Sequence, residues 1–287
     1  MERVERTARE IRDLKIQGAS AIAEAALLAL ASDLSRDPAA DREALRRILV
    51  EARPNEPMLR SLLGRFLSES ADLEGDALLD AARALRDRIE AEEKALHAAG
   101  AELVGDGDKV FTHCHSSSAV GILLHAWRSG KRFRVHTTET RPRFQGRITA
   151  RELAAEGIPV VHSVDSAAKL ALDGASLFLF GADAVRSTGF LLNKVGTGIF
   201  CVIAGHYGVP TYCATHTLKV VRDESEDVVE ERAAEEVWED PPGGVTIRNP
   251  AFDRVNLKYV TGFVTERGIL KDPFRDADQA RPAGERP

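Results

Sequence analysis

Apolar residues recur at helical spacing through the first hundred or so residues of this chain and at strand-like spacing after that. Gly18 to Leu30 is rich in alanine and leucine, the strongest helix formers. Leu59, Leu62, Leu63 and Phe66 trace one helical stripe. Ala77 to Ala99 carries Leu78, Leu79, Ala82, Leu85, Ile89 and Leu96 on one side and a charged, solvated set on the other. Pro38 and Pro54 punctuate this region, and Gly100, Gly105 and Gly107 end it. The pattern predicts a helical N-terminal domain over 1–105.

From Lys109 the rhythm changes. Strands are expected to start near 109, 132, 158, 176 and 210, with helices over 117–129, 146–156, 165–172 and 196–207. Such alternation argues an α/β domain over 106–287, a parallel sheet covered by helices on both faces. In such sheets ligands bind outside the carboxyl ends of the strands. Polar, reactive residues collect at those ends: Thr112-His113-Cys114-His115 after the first strand, Thr138 to Arg143 after the second, Asp183 after Leu177-Phe178-Leu179-Phe180, and Thr215-His216 after the last. The acidic run from Asp223 to Asp240 reads as a solvated connection. The tail beyond about Lys271 is polar and proline-bearing, and is expected to be poorly ordered.

Composition adds boundaries. Hydrophobic residues at 44% and charged residues at 29% suit a soluble globular chain of 287 residues. A net charge of -6 argues against a general nucleic-acid surface. No apolar run reaches the roughly 20 residues of a membrane span. The charged N-terminus has no signal-peptide core, so a cytoplasmic location is expected. Cys114, Cys201 and Cys213 form no CxxC pair, which fits a reducing compartment.

Cys201 and Cys213 read as small buried hydrophobes. Cys114 reads differently, because it lies at a strand end, between two histidines and just before a helix start. Those surroundings are expected to lower its thiol pKa and favour a thiolate nucleophile or base. A metal site is not expected: side chains alternate along a strand, so Cys114 faces away from both histidines. Asp183 reads either as a general acid with a pKa raised by desolvation or as the N-cap of the next segment. Arg141 and Arg143, with Pro142 between them and Gly146 opening a helix, suit phosphate. Asn193-Lys194-Val195-Gly196-Thr197-Gly198 offers an amide, an ammonium and a glycine turn. Neither a P-loop nor GxGxxG occurs, so no nucleotide fingerprint is present.

Taken together, Thr112-His113-Cys114, Thr138 to Gly146, Gly181-Ala182-Asp183 and Asn193 to Thr197 resemble the aldose-1-phosphate isomerases. That family comprises ribose-1,5-bisphosphate and methylthioribose-1-phosphate isomerases. Its non-catalytic relatives are the α, β and δ regulatory subunits of the translation initiation exchange factor. Gln17-Gly18-Ala19, Ala52-Arg53-Pro54 and Val245 to Asp253 extend the resemblance over nearly the whole chain. It implies a Rossmann-like second domain, an active site between the domains, and Cys114 and Asp183 as the catalytic pair. It places substrate contacts on Gly18, Ala19, Arg53, Arg141, Gln145, Asn193 and Lys194. The regulatory subunits generally lack the Cys/Asp pair, so its presence favours an enzyme. Two residues depart from the pattern: Gln17 replaces an arginine, and Thr188 replaces an asparagine before Gly189.

The resemblance is closest to the ribose-1,5-bisphosphate isomerases, because only 16 residues precede Gln17. The expected reaction is therefore ribose 1,5-bisphosphate to ribulose 1,5-bisphosphate, with neither metal nor cofactor required and with assembly into homodimers or larger homo-oligomers. A methylthioribose-1-phosphate isomerase and a regulatory subunit are the alternatives. The residues leave open whether hydrogen moves as a proton through Cys114 or as a direct hydride.

Overall fold

The computed structural model describes residues 2–16, 18–222 and 230–275. Met1, Gln17, residues 223–229 of the acidic run and residues 276–287 of the tail lie outside the described residues. The chain divides into two compact units, Met1–Glu92 and Glu93–Pro287.

The first unit is helical: α1 (Glu2–Arg12), α2 (Ala19–Arg36), α3 (Arg42–Ala52), α4 (Pro57–Glu69) and most of α5 (Asp76–Ala101). Val4, Ala8 and Ile11 of α1 are fully buried at the spacing of one helical face. α2 buries residues nearly all round, as its alanine-leucine composition requires of a central helix. Asp41 caps α3 by accepting from the Glu43 and Ala44 N–H groups at 3.0 Å each. Pro57 opens α4, where its missing N–H costs nothing.

The second unit alternates strand and helix: β1 (Lys109–Thr112), α6 (Ser117–Arg128), β2 (Arg134–Thr138), α7 (Gly146–Ala155), β3 (Val160–Ser163), α8 (Ala168–Leu172) and β4 (Leu177–Gly181). Then come β5 (Ala184–Arg186), β6 (Phe190–Lys194), α9 (Thr197–His206), β7 (Thr211–Ala214), β8 (Val220–Val221), β9 (Phe252–Asn256), β10 (Gly262–Thr265) and β11 (Gly268–Leu270). The main sheet has seven strands in the order β11-β10-β7-β4-β1-β2-β3. All its pairings are parallel except β10 with β11. The order reverses at β1, whose neighbours are β2 and β4, so the carboxyl ends of β1 and β4 flank the switch point.

Alternate residues of the central strands build two cores. Val110, Val135, Leu177 and Leu179 pack with α6 residues Ile122 and Leu123 on one face. Phe111, Phe178 and Phe180 pack on the other with Ala171, Leu172, Phe200 and Cys201 of α8 and α9. Two buried faces explain why these strands read as unbroken apolar runs. A second, four-stranded sheet, β8-β5-β6-β9, projects Asn193 and Lys194 from β6. Periodicity did not reveal this sheet.

Two expectations change here. The acidic run is more than a solvated connection: Glu231 bridges to Pro250, and Arg232 pairs with Glu230 and Glu236. The described start of the tail is anchored too, with Phe274 packed against the second core.

Candidate active site

Cys114 follows β1 with φ 67, a left-handed backbone that side chains other than glycine rarely adopt. Its N–H donates to Thr140 Oγ1 at 3.0 Å, and its carbonyl accepts from Thr149 Oγ1 at 2.9 Å. Threonines from the 140 loop and α7 therefore hold the turn that presents the thiol. Gly146, which opens α7, lets that helix start approach β2: a Cβ there would lie 1.7 Å from the Thr138 carbonyl oxygen. Asp165 fixes the same loop by accepting from the Thr140 and Arg141 N–H groups at 2.8 and 2.7 Å. The Arg141–Pro142 peptide is cis.

Cys114 keeps partial exposure as a residue, yet protein surrounds it densely. That burial pushes the thiol up to about 12, against the pull of the His115 N–H and the Lys194 ammonium. The expected thiolate is thus corrected: the resting group is a protonated thiol. The flanking histidines do not activate it. His113 is buried, with Nδ1 2.7 Å from Thr138 Oγ1 and Nε2 3.1 Å from the Val195 carbonyl. Burial holds its imidazole down at about 4, so it is neutral near pH 7. His115 turns to Thr149 Oγ1 at 3.2 Å.

Asp183 sits between β4 and β5, where its N–H donates to the Leu192 carbonyl at 2.9 Å. A strand follows it, so it is not a helix N-cap. Asp183, Cys114 and Lys194 lie within electrostatic reach of one another. Burial lowers the Lys194 pKa. Asn193 donates to Thr197 Oγ1 at 2.9 Å, which in turn donates to the Lys194 carbonyl at 2.7 Å. Gly196 takes φ 104 and brings the backbone against the His113 ring. The start of α9 is already occupied by a carboxylate: Asp253 Oδ2 accepts from the Gly196 and Gly198 N–H groups at 2.8 and 2.9 Å. Those two N–H groups are thus taken by the protein's own carboxylate, and Asp253 was not among the residues singled out in the sequence.

Gln145 precedes α7, and its buried Oε1 has no hydrogen-bond partner among the described residues. Arg141 is exposed and donates through Nη2 to the Val237 carbonyl at 3.1 Å. Lys219, also missed in the sequence, is buried with Nζ 3.0 Å from the Ala182 carbonyl, one residue from Asp183. Thr188 lies exposed in the β5–β6 turn. Gly18, Ala19 and Arg53 belong to the first unit: Gly18 takes φ 89 before α2, Ala19 opens that helix, and Arg53 ends α3 at 4.0 Å from Glu56. Among the described residues, no group of three or more His, Cys, Asp or Glu side chains is placed to hold a metal ion.

Residues 15–272 match the Initiation factor 2 subunit family over most of the chain. The chain belongs to the Initiation factor 2 subunit family. Within it, the chain is 38% identical to the ribose 1,5-bisphosphate isomerase of Haloferax volcanii, across 92% of this chain and 88% of that protein. It is 36% identical to the methylthioribose-1-phosphate isomerase of Anaeromyxobacter sp. strain K, across 92% and 83%. The fold superposes on the translation initiation factor eIF-2B of Pyrococcus horikoshii OT3 with a TM-score of 0.82 at 31% identity, covering 96% of this chain and 99% of that one. The family thus includes both isomerases and initiation factors. No helix among the described residues is long and apolar enough to cross a membrane.

Proposed function

We propose that this chain is an isomerase that converts ribose 1,5-bisphosphate to ribulose 1,5-bisphosphate. The observation that carries the reading is the gathering of Cys114, Asp183 and Lys194 at the switch point of the parallel sheet. Likeness to curated ribose 1,5-bisphosphate isomerases supports the substrate.

An aldose phosphorylated at C1 cannot open its ring as a free hemiacetal. The C1–ring oxygen bond must break while the ring oxygen takes a proton, which the Asp183 carboxyl supplies. A hydrogen then moves from C2 to C1, and the C2 hydroxyl returns a proton to Asp183 as its carbonyl forms. A thiol held at about 12 must lose its own proton before it can accept the one on C2. That favours direct hydride movement from C2 to C1, with Cys114 enclosing the reacting carbons. Lys194 and Arg141 supply positive charge for phosphate, and the Gln145 carbonyl accepts from a sugar hydroxyl.

The substrate is tested by comparing kcat/KM on ribose 1,5-bisphosphate, ribose 1-phosphate and methylthioribose 1-phosphate. Loss of a bound phosphate is expected to cost two or more powers of ten, at about 1.4 kcal/mol each. Preference for either of the other sugars would overturn the substrate. Absence of turnover on all three would favour the regulatory role.

The chain works in the cytoplasm as a homodimer or larger homo-oligomer in this reading. Leu170 of α8 and Ile199 and Val202 of α9, all exposed apolar side chains on two helices that pack together, support assembly.

A further inference from the structure

The loop that carries Arg141 and Arg143 is tied to a segment remote in sequence. Arg143 Nη1 donates to Glu236 Oε1 at 3.2 Å, and Arg141 Nη2 donates to the neighbouring Val237 carbonyl at 3.1 Å. Glu236 is itself fixed. Arg232 grips it with both Nε, at 2.9 Å, and Nη2. Asn249 Nδ2 donates to it at 3.3 Å and to the Ala233 carbonyl at 2.8 Å. Backbone bonds from Arg232 N–H to the Asn249 carbonyl and from Ala251 N–H to the Glu230 carbonyl stitch the segment down. Arg232 and Glu236 are also within electrostatic reach of Lys194, so this network adjoins the Cys114 site.

A guanidinium has five N–H donors. Among the described residues, the bonds to Glu236 and Val237 each use one nitrogen, which leaves further donors on both arginines. An arginine anchored at one corner has already lost much of its side-chain freedom, so it binds a phosphate at lower entropic cost.

We propose that Glu236 is a positioning residue for phosphate recognition: with the Val237 carbonyl it anchors Arg143 and Arg141 so that their other donors are preset for a substrate phosphate. The inference rests on reading the site as one for a sugar bisphosphate. It assigns a function to the acidic run that its composition hides.

The test uses the full chain with Glu236→Ala, Glu236→Gln, Arg143→Met and the double variant Arg143→Met/Glu236→Ala. Glu236→Ala is expected to raise KM for ribose 1,5-bisphosphate about tenfold, the scale of one lost preorganised side chain, with a smaller change in kcat. Calorimetric binding of inorganic pyrophosphate should weaken by a similar factor. The double variant should be no worse than Arg143→Met, because Glu236 acts through Arg143. Additive losses, or unchanged KM and pyrophosphate affinity, would overturn the inference. Tighter pyrophosphate binding by Glu236→Gln would also overturn it, by showing that the carboxylate competes with the ligand. If Glu236→Ala does not fold, Glu236→Gln carries the same readouts with the side-chain shape kept. Weakened pyrophosphate binding without any turnover of ribose 1,5-bisphosphate would separate the two ideas, sinking the substrate and sparing the anchor.

Discussion

Cys114 illustrates how packing reverses a local argument. Its neighbours in sequence, two histidines and a helix start, predict a thiolate. In the fold, His113 is neutral and bonded to Thr138 and Val195, and burial of the thiol dominates. The position of Cys114 at a strand end was legible; its protonation was not, because desolvation depends on residues far along the chain. Asp183 is the group assigned to move protons, so Asp183→Asn is expected to lower kcat by about 10²–10⁴-fold. Turnover in deuterated water should leave C1 of the product free of solvent deuterium under the hydride route. Deuterium at C1 would instead establish proton transfer. His113 makes a separate prediction on stability. An unfolded histidine titrates near 6.5, whereas the folded one is held at about 4. Between those values the unfolded chain binds a proton that the folded chain does not. Stability is therefore complete above about 6.5 and falls as pH drops towards 4, by on the order of 3 kcal/mol. Melting curves across that range should show a shallower pH slope for His113→Gln; identical slopes would remove His113 as the cause.

At the scale of elements, the central strands announced themselves because Val110, Phe111 and the run Leu177 to Phe180 are buried on both faces. The second sheet gave no such signal. β5 has three residues and β8 two, too few to show a period, and in β9 the charged Asp253 and Arg254 are adjacent and only Val255 is buried, so no alternation appears. The residues that complete the site also escaped notice, since Asp253, Lys219 and Glu236 reach it through contacts that no local motif encodes. Gly146 tests the loop-to-helix junction. A methyl group there meets a backbone carbonyl rather than a side chain that can move aside. Gly146→Ala should therefore destabilise the fold by at least about 2 kcal/mol. Urea unfolding would read this as a lower midpoint at constant slope, and an unchanged midpoint would contradict the close approach.

For the whole molecule, assembly is the accessible question. Leu170 is 74% exposed and Ile199 55%, more than a solvated helix face needs. Leu170→Glu/Ile199→Glu is expected to lower the sedimentation mass of the protein while keeping its circular dichroism; an unchanged mass would move the interface elsewhere. The arrangement of the small sheet also sets an order of events during synthesis. β6 bears Asn193 and Lys194, and its outer edge pairs with β9, which ends at Asn256. Asp253, on that same strand, supplies the acceptor for the glycine turn after Lys194. A growing chain that has reached only residue 240 holds every residue of β1 and β4, but its Lys194 strand still has one open edge. The Cys114 thiol and the Asp183 carboxylate can thus be in place before the Lys194 ammonium is. Closing that edge waits for residues 252–256 to leave the ribosome.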